Sequence, residues 1–206
     1  MDSREQIAVA AERLFMTYGV RSVTMDDISK KISISKKTIY QHYKDKEEIV
    51  CLVTERVLQK ERDKLFGIKE IAENAIHEIV LVSQYLRDYS QNVNHSILFD
   101  IQKYHAQAWE IYLKFKESVF LHSLTDTLQK GIDEGFFRKE INVNVLARLR
   151  IEQVQMASDS DIYPYEKFNF KEVQIQLFEH FMHGILTDKG RKRLAHYSEN
   201  VLTNEK

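Results

Sequence analysis

Between positions 29 and 46 lie Lys30, Lys31, Lys36, Lys37, Lys44 and Lys46 against one acid, Asp45. That is a local balance of +5 in a chain whose net charge is −1. A near-neutral average can hide a basic face of this kind. Thr38, Tyr40, Gln41 and His42 stand among the lysines. Lysine meets guanine acceptors or phosphate oxygens, and glutamine pairs with adenine in the major groove. The same stretch supplies a dock. Ile39 and Tyr43, four apart, would seat a helix on its support and leave Lys36, Lys37, Thr38, Tyr40 and Gln41 for DNA. The competing reading, a lysine-rich face that meets only water, loses weight because helix start signals surround the run.

Those signals outline the elements. Ser3 to Tyr18 reads as a helix, with Ser3 and Gln6 as a capping box and Gly19 as its stop. Ile7, Ala11, Leu14, Phe15 and Tyr18 fall on one face. Thr24 with Asp27 opens a second helix, with Val23 placed to staple onto Ile28. Ile32-Ser33-Ile34-Ser35 ends it, and Ser35 caps a third over 36–42. Asp45 with Glu48 starts a fourth. Two short helices joined by a tight turn, the second rich in lysine, fit a helix-turn-helix.

The stretch AAERLFMTYGVRSVTMDDISKKISISKKTIYQHYKDKEEIV resembles the N-terminal domain of TetR-family transcriptional regulators, over about residues 5–53. The resemblance implies a homodimeric, ligand-responsive repressor from a bacterium. It implies base contacts from Lys36, Lys37, Thr38 and Tyr40, with Gln41 beside them. Thr24, His42 and Lys46 would rest on phosphates, and Lys46 also opens a helix whose N-terminal amides favour an anion. The family usually has glycine in the turn, where this chain has Ser33. Serine resists the left-handed region at a cost of roughly 1 kcal/mol, which leaves open a turn of different geometry. Asp26 would repel a phosphate, so it is expected to cap or face away.

The other three quarters read as helices too. Glycine and proline make up 7 of 206 residues, about 3% against an average near 12%, which argues against barrels, sandwiches and Gly-rich nucleotide folds. The expected fold is all-α with about nine to ten helices: a helix-turn-helix domain at 1–47 and a helical effector and dimerisation domain at 48–206. The pattern predicts helices from Asp45 to Phe66 with Gly67 as the break, then 69–91 with Ile71, Ala75, Ile79, Val82 and Leu86 inward. A polar turn at 91–95 follows, then helices over 96–103, 105–134, 144–157 and 170–186, and a terminal helix. The run Gly131 to Arg138 and the Gly184–Arg191 stretch also resemble the family.

Apolar Ile151, Val154, Ile175, Phe178, Phe181, Met182 and Ile185 fit either a dimer surface or an internal core. Dimerisation is preferred because one helix-turn-helix reads only a short half-site. Tyr85, Tyr89, Phe99, Tyr104, Trp109 and Tyr112 are candidate lining for a small hydrophobic or aromatic effector, with His105 as a polar anchor; ordinary core is the alternative. His180 and His183 form a pair without an identifiable third metal ligand. Cys51, the one cysteine, excludes an internal disulfide and reads as buried packing. No stretch approaches a membrane span, and MDSREQIAVAAERLF reads as a helix rather than a signal peptide, so a cytoplasmic location is expected. With no Gly-rich phosphate loop, H-E-x-x-H motif or nucleophile elbow, neither an enzyme nor a cofactor is expected. The partners expected are a palindromic double-stranded operator, a second copy of the chain and an effector. A protein-controlled or constitutive regulator of the same fold is the alternative.

Overall fold

Most helix starts follow local capping chemistry. The computed structural model describes residues 2–90 and 93–202, and the named elements among them are helical. α1 (Ser3–Tyr18) is capped by Asp2 rather than by the expected Ser3, for the Asp2 carboxylate accepts from the Glu5 amide at 2.8 Å. A charged acceptor one residue earlier also meets the positive end of the helix dipole, which the Ser3 hydroxyl cannot match. α2 (Met25–Lys31) opens on the Thr24/Asp27 box, and α3 (Lys36–His42) on Ser35. Asp45 accepts from the Glu48 amide at 3.0 Å at the head of α4 (Lys46–Ile71).

α4 runs straight through Gly67, correcting the expected break. One glycine costs about 1 kcal/mol in a helix, and burial of Ile68 just beyond offsets it. The chain turns instead at Asn74, whose side chain accepts from the His77 amide at 3.1 Å and starts α5 (Ala75–Ser90). Ile71, expected inward, is 68% exposed on the last turn of α4. Gln91 and Asn92, read as part of a turn, lie outside the described residues. α6 (Ile97–Tyr104) follows. The segment expected as one helix over 105–134 is α7 (Ala106–Phe115), a π-helical turn (Lys116–Leu121) and α8 (His122–Asp133). α9 (Val143–Met156) and α10 (Phe170–Ile185) start on Asn142 and Asn169 caps, and α11 (Asp188–Leu202) ends the described chain.

The chain forms two compact units. The first takes residues 1–63 and 89–116. Its core gathers Ile7, Phe15, Ile28, Ile39, Tyr43 and Ile49 with Ile101 of α6 and Ala108 of α7. Polar contacts tie α6 and α7 into it. The Arg21 amide donates to Asp100 Oδ2 at 2.9 Å, and His105 Nδ1 meets Glu47 Oε2 at 2.6 Å. Tyr18, expected on the inner face of α1, is exposed.

The second unit takes residues 64–88 and 117–206. Leu128, Phe137, Phe181, Met182, Ile185 and Leu186 are in its core. Three of these correct the expected dimer surface: Phe181, Met182 and Ile185 are buried within the unit itself. They form the centre of the apolar stripe of α10, and a helix gives the centre of its stripe to the nearest core. Ile151, Val154, Ile175 and Phe178 stay half-buried, while Val145 and Leu149 of α9 face solvent. Gly131 lies so close to the Phe137 ring that no Cβ would fit there.

Candidate nucleic-acid interface

The recognition surface depends on the turn between α2 and α3. Ser33 adopts φ +56° and keeps the left-handed backbone that a glycine would supply there. Hydrogen bonds on both sides hold it: Ser33 N donates to Lys30 O at 3.3 Å, and Ile34 N to Ser29 O at 3.0 Å. A different turn geometry, left open by the sequence, is not adopted. Strain of roughly 1 kcal/mol at one residue is smaller than the gain from burying Ile28, Ile39 and Tyr43 around the turn.

With the turn set, α3 divides as its periodicity predicts. Ile39 and Tyr43 are buried, and the Tyr43 hydroxyl donates to Arg4 O at 2.8 Å. Lys36, Lys37, Tyr40 and Gln41 are exposed, while Thr38 and His42 are half-buried. Thr38 takes part in the cap, its hydroxyl 2.9 Å from that of Ser35. Thr24 is exposed at the start of α2. Its amide donates to Asp27 Oδ2 at 2.8 Å, and its hydroxyl does so at 2.6 Å. These bonds hold the Asp27 carboxyl below its ordinary pKa.

Asp26 neither caps nor turns away. Its Oδ2 pairs with Lys36 Nζ at 2.8 Å, and the contact raises the lysine pKa. This pair, invisible as a pair in the sequence, holds the Lys36 side chain toward α2. Lys46 differs from the other seven candidates. Its ammonium donates to Val20 O at 2.6 Å, and burial lowers its pKa. Beside α2 opens a groove of about 680 Å³, lined by Leu14, Tyr18, Val23, Asp27, Lys30 and Lys31 among others.

Residues 7–51 match the family described as bacterial regulatory proteins, tetR family. Over that stretch the chain carries a TetR-family DNA-binding domain. It is a DNA-binding transcriptional regulator, and the family and the curated relatives are regulators rather than enzymes. Among them, an HTH-type transcriptional regulator of Staphylococcus aureus is 25% identical over 178 residues, covering 75% of this chain and 96% of the relative. The HTH-type regulator YvaF of Bacillus subtilis is 26% identical over 180 residues, covering 82% and 88%. Solved structures share the fold. A transcriptional regulator from Saccharomonospora viridis, in complex with choline, superposes with a TM-score of 0.77 at 17% identity, covering 90% of this chain and 98% of that one. Reduced NemR from Escherichia coli reaches 0.74 at 14% identity, covering 90% and 98%.

The expected effector residues divide between the two units. Tyr85 belongs to the second unit, with Lys64 Nζ 5.5 Å from its ring centre. The others belong to the first. Phe99 and Tyr104 are corrected to surface positions, 52% and 42% exposed, with Lys103 over both rings and Arg21 over Tyr104. They lie on the outer side of α6, whose inner side carries Ile101 and Asp100. His105 is buried and meets Glu47. Tyr112 is buried and stacks on Trp109 at 5.1 Å, and Tyr89 is half-buried.

His180 and His183 are both exposed, and no group of three potential metal ligands occurs among the described residues. Burial and the carboxylates of Glu47, Glu55 and Asp45 push the Cys51 thiol up to about 11. A thiol so protonated at neutral pH is a poor redox sensor. No helix among the described residues is long and apolar enough to cross a membrane.

Proposed function

We propose that the protein is a homodimeric cytoplasmic repressor that leaves a palindromic operator when a small organic ligand binds. The observation that carries this reading is the two-sided α3. Ile39 and Tyr43 dock it, while Lys36, Lys37, Tyr40 and Gln41 stand free of the core on its other side. In the complex, Lys36, Lys37, Thr38, Tyr40 and Gln41 face bases, and Thr24 and His42 rest on phosphates. Lys46 supports the domain through Val20 rather than the DNA backbone. Dimers place two such helices on half-sites about 34–36 Å apart. Outward Val145 and Leu149 on α9, with half-buried Ile175 and Phe178 on α10, favour these two helices as the dimer surface.

The choline bound to the Saccharomonospora relative favours a small-molecule effector. α4 begins four residues after α3 ends, so an effector that shifts α4 shifts the recognition helix. A coupling of about 1–3 kcal/mol changes operator affinity roughly 5- to 150-fold.

The test is a fluorescence-anisotropy titration with DNA from immediately upstream of the protein's own gene, at two salt concentrations. Selective binding that is lost in the Lys36→Ala/Tyr40→Ala double variant supports the reading. Equal binding to all sequences, unmoved by that variant, refutes it.

A further inference from the structure

The second unit buries a guanidinium whose Nη1 has no acceptor among the described residues. Arg150 of α9 is 6% exposed. Phe178 and Phe181 of α10 lie against it, with ring centres 5.6 and 5.7 Å from its guanidinium carbon. Its Nη1 has no hydrogen-bond partner, and among the described residues no carboxylate pairs with it. The charge that does act on it has the same sign: Arg87 of α5, whose Nη1 donates to Ser83 Oγ at 2.7 Å. Burial first, then Arg87, brings the Arg150 pKa down to about 10, so the group stays cationic at neutral pH. One turn along α9, Gln153 is also buried, and its Oε1 has no partner.

Aromatic faces satisfy the flat side of a guanidinium and leave its in-plane N–H donors unmet. A buried charge without an opposite charge is among the costliest features a fold can carry. An apolar side chain of similar length would fill the same space at no such cost. A planar fork of donors, under the like charge of a second arginine and beside two aromatic rings, matches an oxyanion carried on an apolar body. Gln153, three residues on and on the same side of the helix, offers an amide to a polar group beside that oxyanion.

We propose that Arg150, assisted by Gln153, anchors an oxyanion in the second unit, and that the effector is therefore a small organic acid whose apolar part lies against Phe178 and Phe181. This rests on the reading of the protein as a ligand-released regulator. Carboxylates and phosphate esters share the required chemistry.

The experiment follows thermal unfolding of the full-length wild type, Arg150→Met and Arg150→Lys, alone and with octanoate, benzoate or phenyl phosphate. Octanol and benzyl alcohol serve as neutral counterparts. Without additive, Arg150→Met unfolds a few degrees above wild type, because an uncompensated charge is gone. One or more of the anions raises the wild-type midpoint in proportion to its concentration, with a reduced shift in Arg150→Lys, none in Arg150→Met and none from the alcohols. Which anions act separates carboxylate from phosphate. The proposal is overturned if Arg150→Met unfolds below wild type, or if the anions shift both proteins equally or shift neither. It is also overturned if sedimentation shows that only Arg150→Met has lost its dimer, since the missing acceptor then belongs to the partner subunit. Anion binding that leaves operator affinity unchanged keeps this site and refutes the effector reading. Release of Arg150→Met from the operator by a neutral compound does the reverse.

Discussion

Lys36 and Arg150 carry the same charge under opposite conditions. Lys36 lies half in water on α3 and meets Asp26 at 2.8 Å. Arg150 lies inside the second unit against two rings, under the like charge of Arg87, and pairs with no acid among the described residues. An exposed pair of the first kind is worth little, about 0–1 kcal/mol, so it can be exchanged for a phosphate or a base edge at small cost. The second kind is expensive to maintain and cannot be exchanged with water. One region therefore presents charge to a large polyanion from outside, and the other holds charge ready for a small anion that must come in. A surface lysine and a buried arginine look alike in a composition count, and only their surroundings separate them.

That contrast can be broken most sharply at the DNA surface. Lys36→Ala/Tyr40→Ala is expected to weaken operator binding about 100-fold or more, since each specific base contact contributes about 1–3 kcal/mol. Its melting temperature should stay within a degree or two of wild type. Arg150→Met should leave ligand-free operator affinity unchanged in the same titration, and an equal loss in both variants would erase the distinction between the regions.

The next largest effect concerns packing in the second unit. Gly131→Ala drives a methyl into the Phe137 ring and should cost about 1–3 kcal/mol, read as a lower midpoint in urea. A neutral result would mean that this interior is loose enough to reshape, and the orphan donors of Arg150 would then lose their significance.

At the turn, Ser33→Gly removes a left-handed non-glycine residue and should stabilise by about 1 kcal/mol, with operator affinity kept. Loss of affinity would show that the strain itself positions α3.

The smallest effect is a pH dependence in the same domain. The Thr24 hydrogen bonds hold the Asp27 pKa below its ordinary value, so this stabilisation is complete above the usual carboxylate range and fades as pH falls through the lowered pKa. Asp27→Asn should therefore melt below wild type at pH 7, and the two curves should converge in acid.

Much of the first unit was legible because its signals are local. Thr24 with Asp27, Ser35 with Thr38, and Asp45 with Glu48 each complete a cap within three residues, and the structure contains all three. The docking pair Ile39 and Tyr43 follows from helical period alone. Sequence and structure differ where two local signals compete or where one residue is overruled by its neighbours: Asp2 over Ser3, and the helix carried past Gly67. The aromatic residues of α6 depart from expectation for another reason. Phe99 and Tyr104 have the composition of a pocket, but which side of α6 meets the core is set by Ile101, Asp100 and the Arg21 amide seventy-nine positions away. Arg150 left only a faint sign in the sequence, a charged residue in step with the buried Ala147 and Ala157 of its own apolar stripe.

By itself, then, the chain determined the helices, the two-sided recognition helix and the TetR-like N-terminal half-century, because caps and periodicity act within one or two turns and need no partner from elsewhere. Only tertiary structure decided that Phe181, Met182 and Ile185 belong to the core, that Lys36 pairs with Asp26, that Lys46 turns to Val20, and that Arg150 is buried unpaired. Each of those outcomes depends on which surface comes out of water against which. Desolvation of that kind is a property of the assembled fold and cannot be summed from neighbours along the chain.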